Sequence, residues 1–380
     1  MNRRIQKKRQ LKTGVFMGII FIVAVFFITI LNFVAPDREF SNRENRLLQL
    51  TPSISGETIA DGTFMKKFES YLSDQFAFRD FYMRIRSFSE LTLGSRESNG
   101  VYYGSNGYLF EKTASFGVHD NENREAVSNF AKKHEGINMY MMIVPNSVWV
   151  MSEKLPKFAP VENQREQIEQ WANSVTDVNF IDICDKMRGH QDEYIYYRTD
   201  HHWTTLGAKY AFESFAEVAE IEYFLDNYKE YTVKTDFSGT LESKSGYMVE
   251  DDTINVYIPS QIEKVIVTDS DTGKVSPSLY DSTKLSSSEP YAVFLGGNSG
   301  MKEIETMSDS GRNILIFKDS YANCFIPFLT PYFSNIYVVD PRYYYGDVEK
   351  IMTDKNITDV LFLYNANTLF EDSSLYQVIS

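Results

Sequence analysis

From residue 13 to residue 35 the chain carries no charge, and the segment before it holds Arg3, Arg4, Lys7, Lys8, Arg9 and Lys12 without a single acid. At about 1.5 Å per residue, a helix of that length crosses a hydrocarbon core of roughly 30 Å. A soluble core helix rarely stays uncharged for so long beside a basic cluster. The run therefore divides the chain into a basic segment at 1–12, a transmembrane signal anchor at 13–35 and everything after it. The flanking cations predict a cytoplasmic N-terminus, which places the remainder on the far side of the membrane. A cleaved signal peptide is the competing reading. The apolar run is long for one, and Phe33-Val34-Ala35 lacks a small residue at the third position before a cut.

The formal net charge is −14, and without the six N-terminal cations the exported part comes to about −20. So acidic a surface argues against nucleic acid or an anionic polymer as the main partner and suits a neutral glycan better. Two cysteines, Cys184 and Cys324, are too few for a disulfide framework, so buried free thiols are expected. Abundant Tyr and Phe mostly fill core, although an exposed aromatic ring can stack on a sugar.

Segment 36–120 reads as a polar stalk to residue 50, a long amphipathic helix over 60–93, and a hairpin. Phe64, Phe68, Leu72 and Phe76 line one helix face and read as core. In the hairpin, Asn106-Gly107 stands between the apolar runs 101–103 and 108–110. From residue 121 onward, helices alternate with apolar strands at 139–144, 178–183, 313–317, 336–340 and 359–364. That alternation predicts an α/β domain over 121–380, with a mostly parallel sheet flanked by helices. Between about 230 and 300 the helical pattern lapses into short β-rich runs, read as an insertion packed on the α/β core. It either shapes a substrate groove or decorates the surface.

Ligands in such sheets bind beyond the carboxyl ends of the strands. Asn146, Ser320, Arg342, Tyr343 and Asn365 all follow strands there. Ser320 lies in Lys318-Asp319-Ser320-Tyr321, at a strand-to-helix junction where backbone N–H groups are expected to be free for an oxyanion. Serine is a poor nucleophile until a histidine takes its proton and a carboxylate orients that histidine. The string Thr199-Asp200-His201-His202-Trp203-Thr204 supplies both groups. In an extended turn, residues two apart point the same way, so Asp200 and His202 converge and His201 points elsewhere. Ser320, His202 and Asp200 are thus the candidate catalytic triad, with His201, Trp203 and Asp319 as supporting positions. Asn146, Asn298 and Asn365 are alternative side-chain oxyanion donors. Arg342 and Tyr343 are substrate candidates, Arg342 holding either substrate or an acidic side chain. Asp200, His201, His202 and Asp319 also offer a mixed N/O donor set, but the serine partner favours the triad, so no metal or cofactor is expected.

These strings carry a family resemblance. The chain resembles the bacterial proteins named for their Asp-His-His-Trp (DHHW) motif, themselves similar to the SGNH-type O-acetyltransferases that modify alginate. The resemblance includes Phe40-Ser41 with Glu44-Asn45-Arg46, Asp74-Gln75-Phe76 with Arg79-Asp80, Val101-Tyr102, Gly296-Gly297-Asn298, the Lys-Asp-Ser-Tyr string and Asp340-Pro341-Arg342-Tyr343. It implies an SGNH-hydrolase-like fold, and it maps the alginate enzymes' Asp-x-His pair and later serine onto Asp200, His202 and Ser320. Lys318 stands where such enzymes often have glycine, which leaves the oxyanion hole unassigned. The implied activity is O-acetyl transfer to a cell-surface or secreted polysaccharide, at a bacterial cell membrane. A multipass membrane acyltransferase is the implied source of acetyl groups, since acetyl-CoA does not reach that compartment. A carbohydrate acetylesterase with the same triad is the alternative; an envelope scaffold or glycan-binding protein with an inactive site is another.

Overall fold

In the computed structural model, residues 2–41, 46–225, 228–259 and 264–380 are described; Glu44 and Asn45 of the resemblance lie outside them. The chain divides into two compact units, Met1–Leu93 and Gly94–Ser380. The smaller begins with helix α1 (Asn2–Val34) and a short antiparallel pair, β1 (Phe40–Ser41) and β2 (Arg46–Leu47). Within α1, the stretch Thr13–Asn32 is long and apolar enough to cross a membrane, and none of it is buried in protein. Helices α2 (Gly56–Ala60), α3 (Thr63–Asp74) and α4 (Arg79–Thr92) follow. The expected single helix over 60–93 is therefore interrupted twice. Gly62 and Phe78 both take left-handed backbone (φ 77° and 59°), which an α-helix cannot continue through. Nor is its apolar stripe core: Leu72 and Phe76 are exposed.

The larger unit opens with the three-stranded meander β3 (Glu97–Ser98), β4 (Val101–Tyr103) and β5 (Leu109–Glu111). Asn106 and Gly107 both adopt the left-handed conformation that the Asn-Gly signal calls for. Val101, Leu109 and Phe110 are fully buried, which is why this hairpin goes with the α/β unit rather than with the segment before it. Next come α5 (Asp120–Lys133), β6 (Asn138–Val144), α6 (Ser147–Val150), α7 (Gln164–Ser174), β7 (Asn179–Phe180), α8 (Cys184–Gly189) and α9 (Thr205–Val218). They are followed by β8 (Tyr228–Phe237), α10 (Thr240–Ser245), β9 (Asp252–Pro259), β10 (Ile266–Asp269), β11 (Val275–Ser276) and β12 (Met301–Glu305). The chain closes with β13 (Asn313–Lys318), β14 (Asn335–Val339), α11 (Val348–Asp354), β15 (Asp359–Asn365), α12 (Ala366–Glu371) and α13 (Leu375–Ile379).

The result is a mixed α/β fold. Its main sheet has the order β11-β10-β12-β14-β13-β15-β6-β7. The run from β14 to β7 is parallel, whereas β12, β10 and β11 add antiparallel strands at the other edge. Strands β6, β13 and β15 are buried almost throughout, as uninterrupted apolar runs in a parallel sheet must be. Helices cover both faces. Phe130 of α5 meets Phe317 and Phe362 edge-on, while Phe215 of α9 meets Tyr140, one register row away and hence on the opposite face. The 230–300 stretch differs from the expected insertion: β8 and β9 form their own ribbon, but β10 and β11 hydrogen-bond into the main sheet. Cys184 and Cys324 are free and buried.

Candidate active site

Because β13, β15 and β6 run parallel, their carboxyl ends share one edge, where Ser320, Asn365 and Asn146 follow them. Beyond Lys318 the chain enters a 3-10 turn, Ser320–Cys324, rather than the expected α-helix. Asp319 caps it. One of its oxygens accepts from the Tyr321 N–H at 2.9 Å and the other from the Asn365 N–H at 2.8 Å. Ser320, half-buried, is thereby fixed at the head of the turn.

The Asp-His-His-Trp string reaches this edge as a tight loop. Its base is closed by the bridge between Tyr196 and Trp203, and Thr204 caps α9. The buried Asp252 secures the entry by accepting from the Arg198 and Thr199 N–H groups at 2.9 and 2.7 Å. Trp203 is fully buried and donates from Nε1 to the Tyr321 carbonyl at 2.9 Å, tying the histidine loop to the serine turn. His202 Nδ1 sits 2.6 Å from Asp200 Oδ1, and its Nε2 lies 2.7 Å from Ser320 Oγ. The structure therefore brings together Asp200, His202 and Ser320 in that order.

Both buried partners are held in the protonation state a base requires. Burial pushes the Asp200 pKa up, but the His201 and His202 rings, with hydrogen bonds from His202 and Thr240, more than reverse this and keep it well below the carboxylate range. Burial, then the charge of His201, pushes His202 down to about 4. An ionised Asp200 orients the Nδ1 proton of a neutral His202 toward itself, which leaves the Nε2 lone pair to accept from the Ser320 hydroxyl. The imidazole also lies flat on Tyr291, with ring centroids 3.9 Å apart and planes 12° from parallel.

Other expectations change. His201 does not point away: its ring is 3.9 Å from that of His202, and its Nδ1 is 2.7 Å from Thr240 Oγ1. Asp200, His201 and His202 thus cluster tightly enough to hold a cation. Asp319 is outside that cluster, its oxygens engaged by backbone, and both Asp200 oxygens are already taken by His202 and Thr240. The three asparagines do not converge on Ser320. Asn146 Nδ2 donates to Asn365 Oδ1 at 3.1 Å, Asn365 Nδ2 donates to the Val144 carbonyl, and Gln164 closes this buried amide network. Asn298 accepts instead from Lys318 and Asn323. The Tyr321 N–H, expected to be free, is spent on Asp319, whereas the Ser320 N–H has no partner among the described residues. Arg342 grips buried Asp340 through Nε and Nη2 at 2.8 and 2.6 Å, so the acidic-side-chain alternative holds for that edge. Tyr343 is half exposed under the Arg342 guanidinium.

Sequence reasoning missed Gly239, Thr240 and Tyr291, all within the supposed insertion. Thr240 donates to Asp200 Oδ2 from its N–H and hydroxyl at 2.9 and 3.0 Å. At Gly239 a Cβ would come within 2.3 Å of the Asp200 Cβ, so only glycine admits the aspartate. The Gly-Thr pair directly after β8 was the available signal. An open cleft of about 740 Å³ adjoins the site, lined by polar groups that include His201, Arg342, Asn365, Asn367 and Thr368.

The family described as DHHW protein matches residues 94–339. The chain belongs to the DHHW family. A DHHW family protein from Eubacterium siraeum has a similar structure: 29% identity, 74% of this chain and 95% of that one covered, TM-score 0.64. Bacillus cereus PatB1, solved with a sulfonyl adduct, is similar in fold at 19% identity, with 73% and 97% covered and a TM-score of 0.62. The O-acetyltransferase domain of Pseudomonas putida AlgJ is more distant, at 16% identity, 73% and 95% covered, TM-score 0.48. No curated protein matches this DHHW chain.

Proposed function

We propose that this protein is a membrane-anchored serine acyltransferase that O-acetylates a cell-surface or secreted polysaccharide. The observation carrying the reading is the continuous relay from Asp200 through His202 to Ser320, with contacts of 2.6 and 2.7 Å. In this reading the larger unit is an SGNH-like catalytic domain. Helix α1 is an uncleaved anchor whose basic end stays in the cytoplasm, so catalysis occurs outside the cell membrane and the acetyl group comes from a multipass membrane acyltransferase.

His202 Nε2 takes the Ser320 proton as Oγ attacks the acyl carbonyl, then returns it to the departing group as the carbonyl re-forms. The acyl chain stays on Ser320. A sugar hydroxyl next gives its proton to the same nitrogen, attacks the acyl-serine and leaves as the acetyl ester, while Ser320 regains its proton. The Ser320 N–H is the donor left for the tetrahedral oxyanion; one such donor is worth about 3 kcal/mol in known cases. Arg342 lines the cleft in which a hydroxyl-rich acceptor would lie. No metal or cofactor takes part in these steps.

The half-buried Ser320 also favours a second reading, acetylester hydrolysis, with water in place of the sugar hydroxyl. The test is acetyl release from a chromogenic ester by the full-length protein, with and without glycan acceptors, for wild type and Ser320→Ala. Transfer predicts stimulation by acceptor and acetyl recovered on it; hydrolysis predicts acetate alone. Equal inertness of correctly folded wild type and variant would end both readings in favour of a glycan-binding scaffold.

A further inference from the structure

Large apolar side chains run along one exposed face of α4. Phe81, Ile85 and Phe88 recur at intervals of four and three, which stacks them on one stripe of the helix, and each is about half exposed or more. Among the described residues Phe81 lines a groove with Leu31 and Val34 but stays more than half exposed, and Phe88 is the most open of the three. A soluble surface seldom leaves so contiguous an aromatic stripe in water.

Its position says what covers it. Asn32, the last residue of the apolar stretch Thr13–Asn32, accepts the Ala77 N–H on its side-chain oxygen at 2.8 Å. Gln75 fastens the same corner, accepting from the Arg38 N–H and donating to the Arg38 carbonyl, both at 2.9 Å. The turn into α4 is therefore pinned to the end of the apolar run, the level at which a spanning helix leaves the hydrocarbon. Phe76 and Phe78, both exposed, flank that turn. Aromatic side chains concentrate at this depth, and a helix with an apolar stripe edged by an arginine, here Arg84, lies along the headgroup region.

We infer that α4 is a second membrane contact, lying in the lipid interface with Phe81, Ile85 and Phe88 inserted, Arg84 at the edge of the stripe among anionic headgroups, and Arg86, paired with Glu90, on the face turned to water. The inference rests on reading α1 as a membrane span. It makes the link between α1 and the catalytic unit a surface-lying element rather than a free stalk.

The test uses full-length protein in vesicles of phosphatidylethanolamine and phosphatidylglycerol whose acyl chains carry bromine at shallow or deep positions. Single variants Phe88→Trp, Arg86→Trp and Phe26→Trp report after subtraction of the wild-type signal, whose three tryptophans are buried. Phe88→Trp should lose at least half its added fluorescence to shallow bromine and little to aqueous iodide. Arg86→Trp should show the reverse, and Phe26→Trp should be quenched most by deep bromine. If Phe26→Trp is quenched by bromine but Phe88→Trp is as open to iodide as Arg86→Trp, the interfacial contact is wrong and the span stands. Shielding of Phe88→Trp from both quenchers would overturn it in favour of a second copy of the chain on this face. If Phe26→Trp escapes bromine altogether, the span reading fails and takes the inference with it.

Discussion

Two buried carboxylates of the α/β unit, Asp200 and Asp340, meet similar demands with opposite outcomes. Asp340 is fully buried between two cations: Lys318 Nζ lies 3.3 Å away, and Arg342 grips it through two nitrogens. Lys318 spends its remaining donors on Asn298 and Asn323 at 2.8 and 3.0 Å. Burial pushes the Lys318 pKa down to about 8, with Asp340 opposing. The network closes on itself. Asp200 is as fully satisfied, yet its strongest partner is an imidazole with a second nitrogen, and that nitrogen ends on a hydroxyl at the mouth of a cleft. What separates the two clusters is therefore not burial or charge. It is whether the chain of hydrogen bonds terminates on a group that can change its bonding.

The sharpest way to break the comparison is Ser320→Ala, which should lower acetyl-ester turnover by about 10⁵-fold or more while leaving the melting temperature nearly unchanged. Asp200→Asn comes next, at about 10⁴-fold in kcat, because a neutral amide no longer fixes the tautomer of His202. On the other side of the comparison, Lys318→Met should cost about 3 kcal/mol in denaturant unfolding, since it unpairs one side of a buried ion pair, yet change kcat less than tenfold. If kcat instead collapses, the two clusters are one machine. The pH response is of comparable size. Folded His202 gains its proton only near pH 4, whereas the unfolded chain gains it near 6.5, so stability should decline as pH falls through that window and His202→Asn should flatten the decline. Turnover should likewise hold through pH 6.5 and fall only as pH approaches 4. Thr240→Val should have the least effect, about 1 kcal/mol in stability and less than tenfold in kcat, because His202 still holds Asp200.

The grouping of Asp200, His202 and Ser320 was legible because it depends on short-range rules. Asp200 and His202, two apart, meet within one tight loop, and a serine after a buried strand sits at the sheet's carboxyl edge. The asparagines were not, since the groups that claim them are remote in sequence: Gln164 for Asn146, Lys318 for Asn298. Periodicity over 60–93 gives the helical faces of α3 and α4 but not the left-handed Phe78 that parts them, for a φ angle leaves no trace in an apolar stripe. The alternation in β10 and β11 marks them as strands without naming the edge they join. Residues 239–240 and 291 escaped notice because a segment read as an insertion, either shaping a groove or decorating the surface, supplies the floor on which Asp200 and His202 rest.

Tyr291 under the imidazole of His202 has a kinetic meaning. Clamped across its face by a phenol ring and along its edge by a carboxylate, the ring has no room to swing toward a second position. A reaction run through Ser320 must then bring its incoming alcohol to the spot the outgoing group has just vacated, so donor and acceptor occupy one doorway in alternation and never side by side.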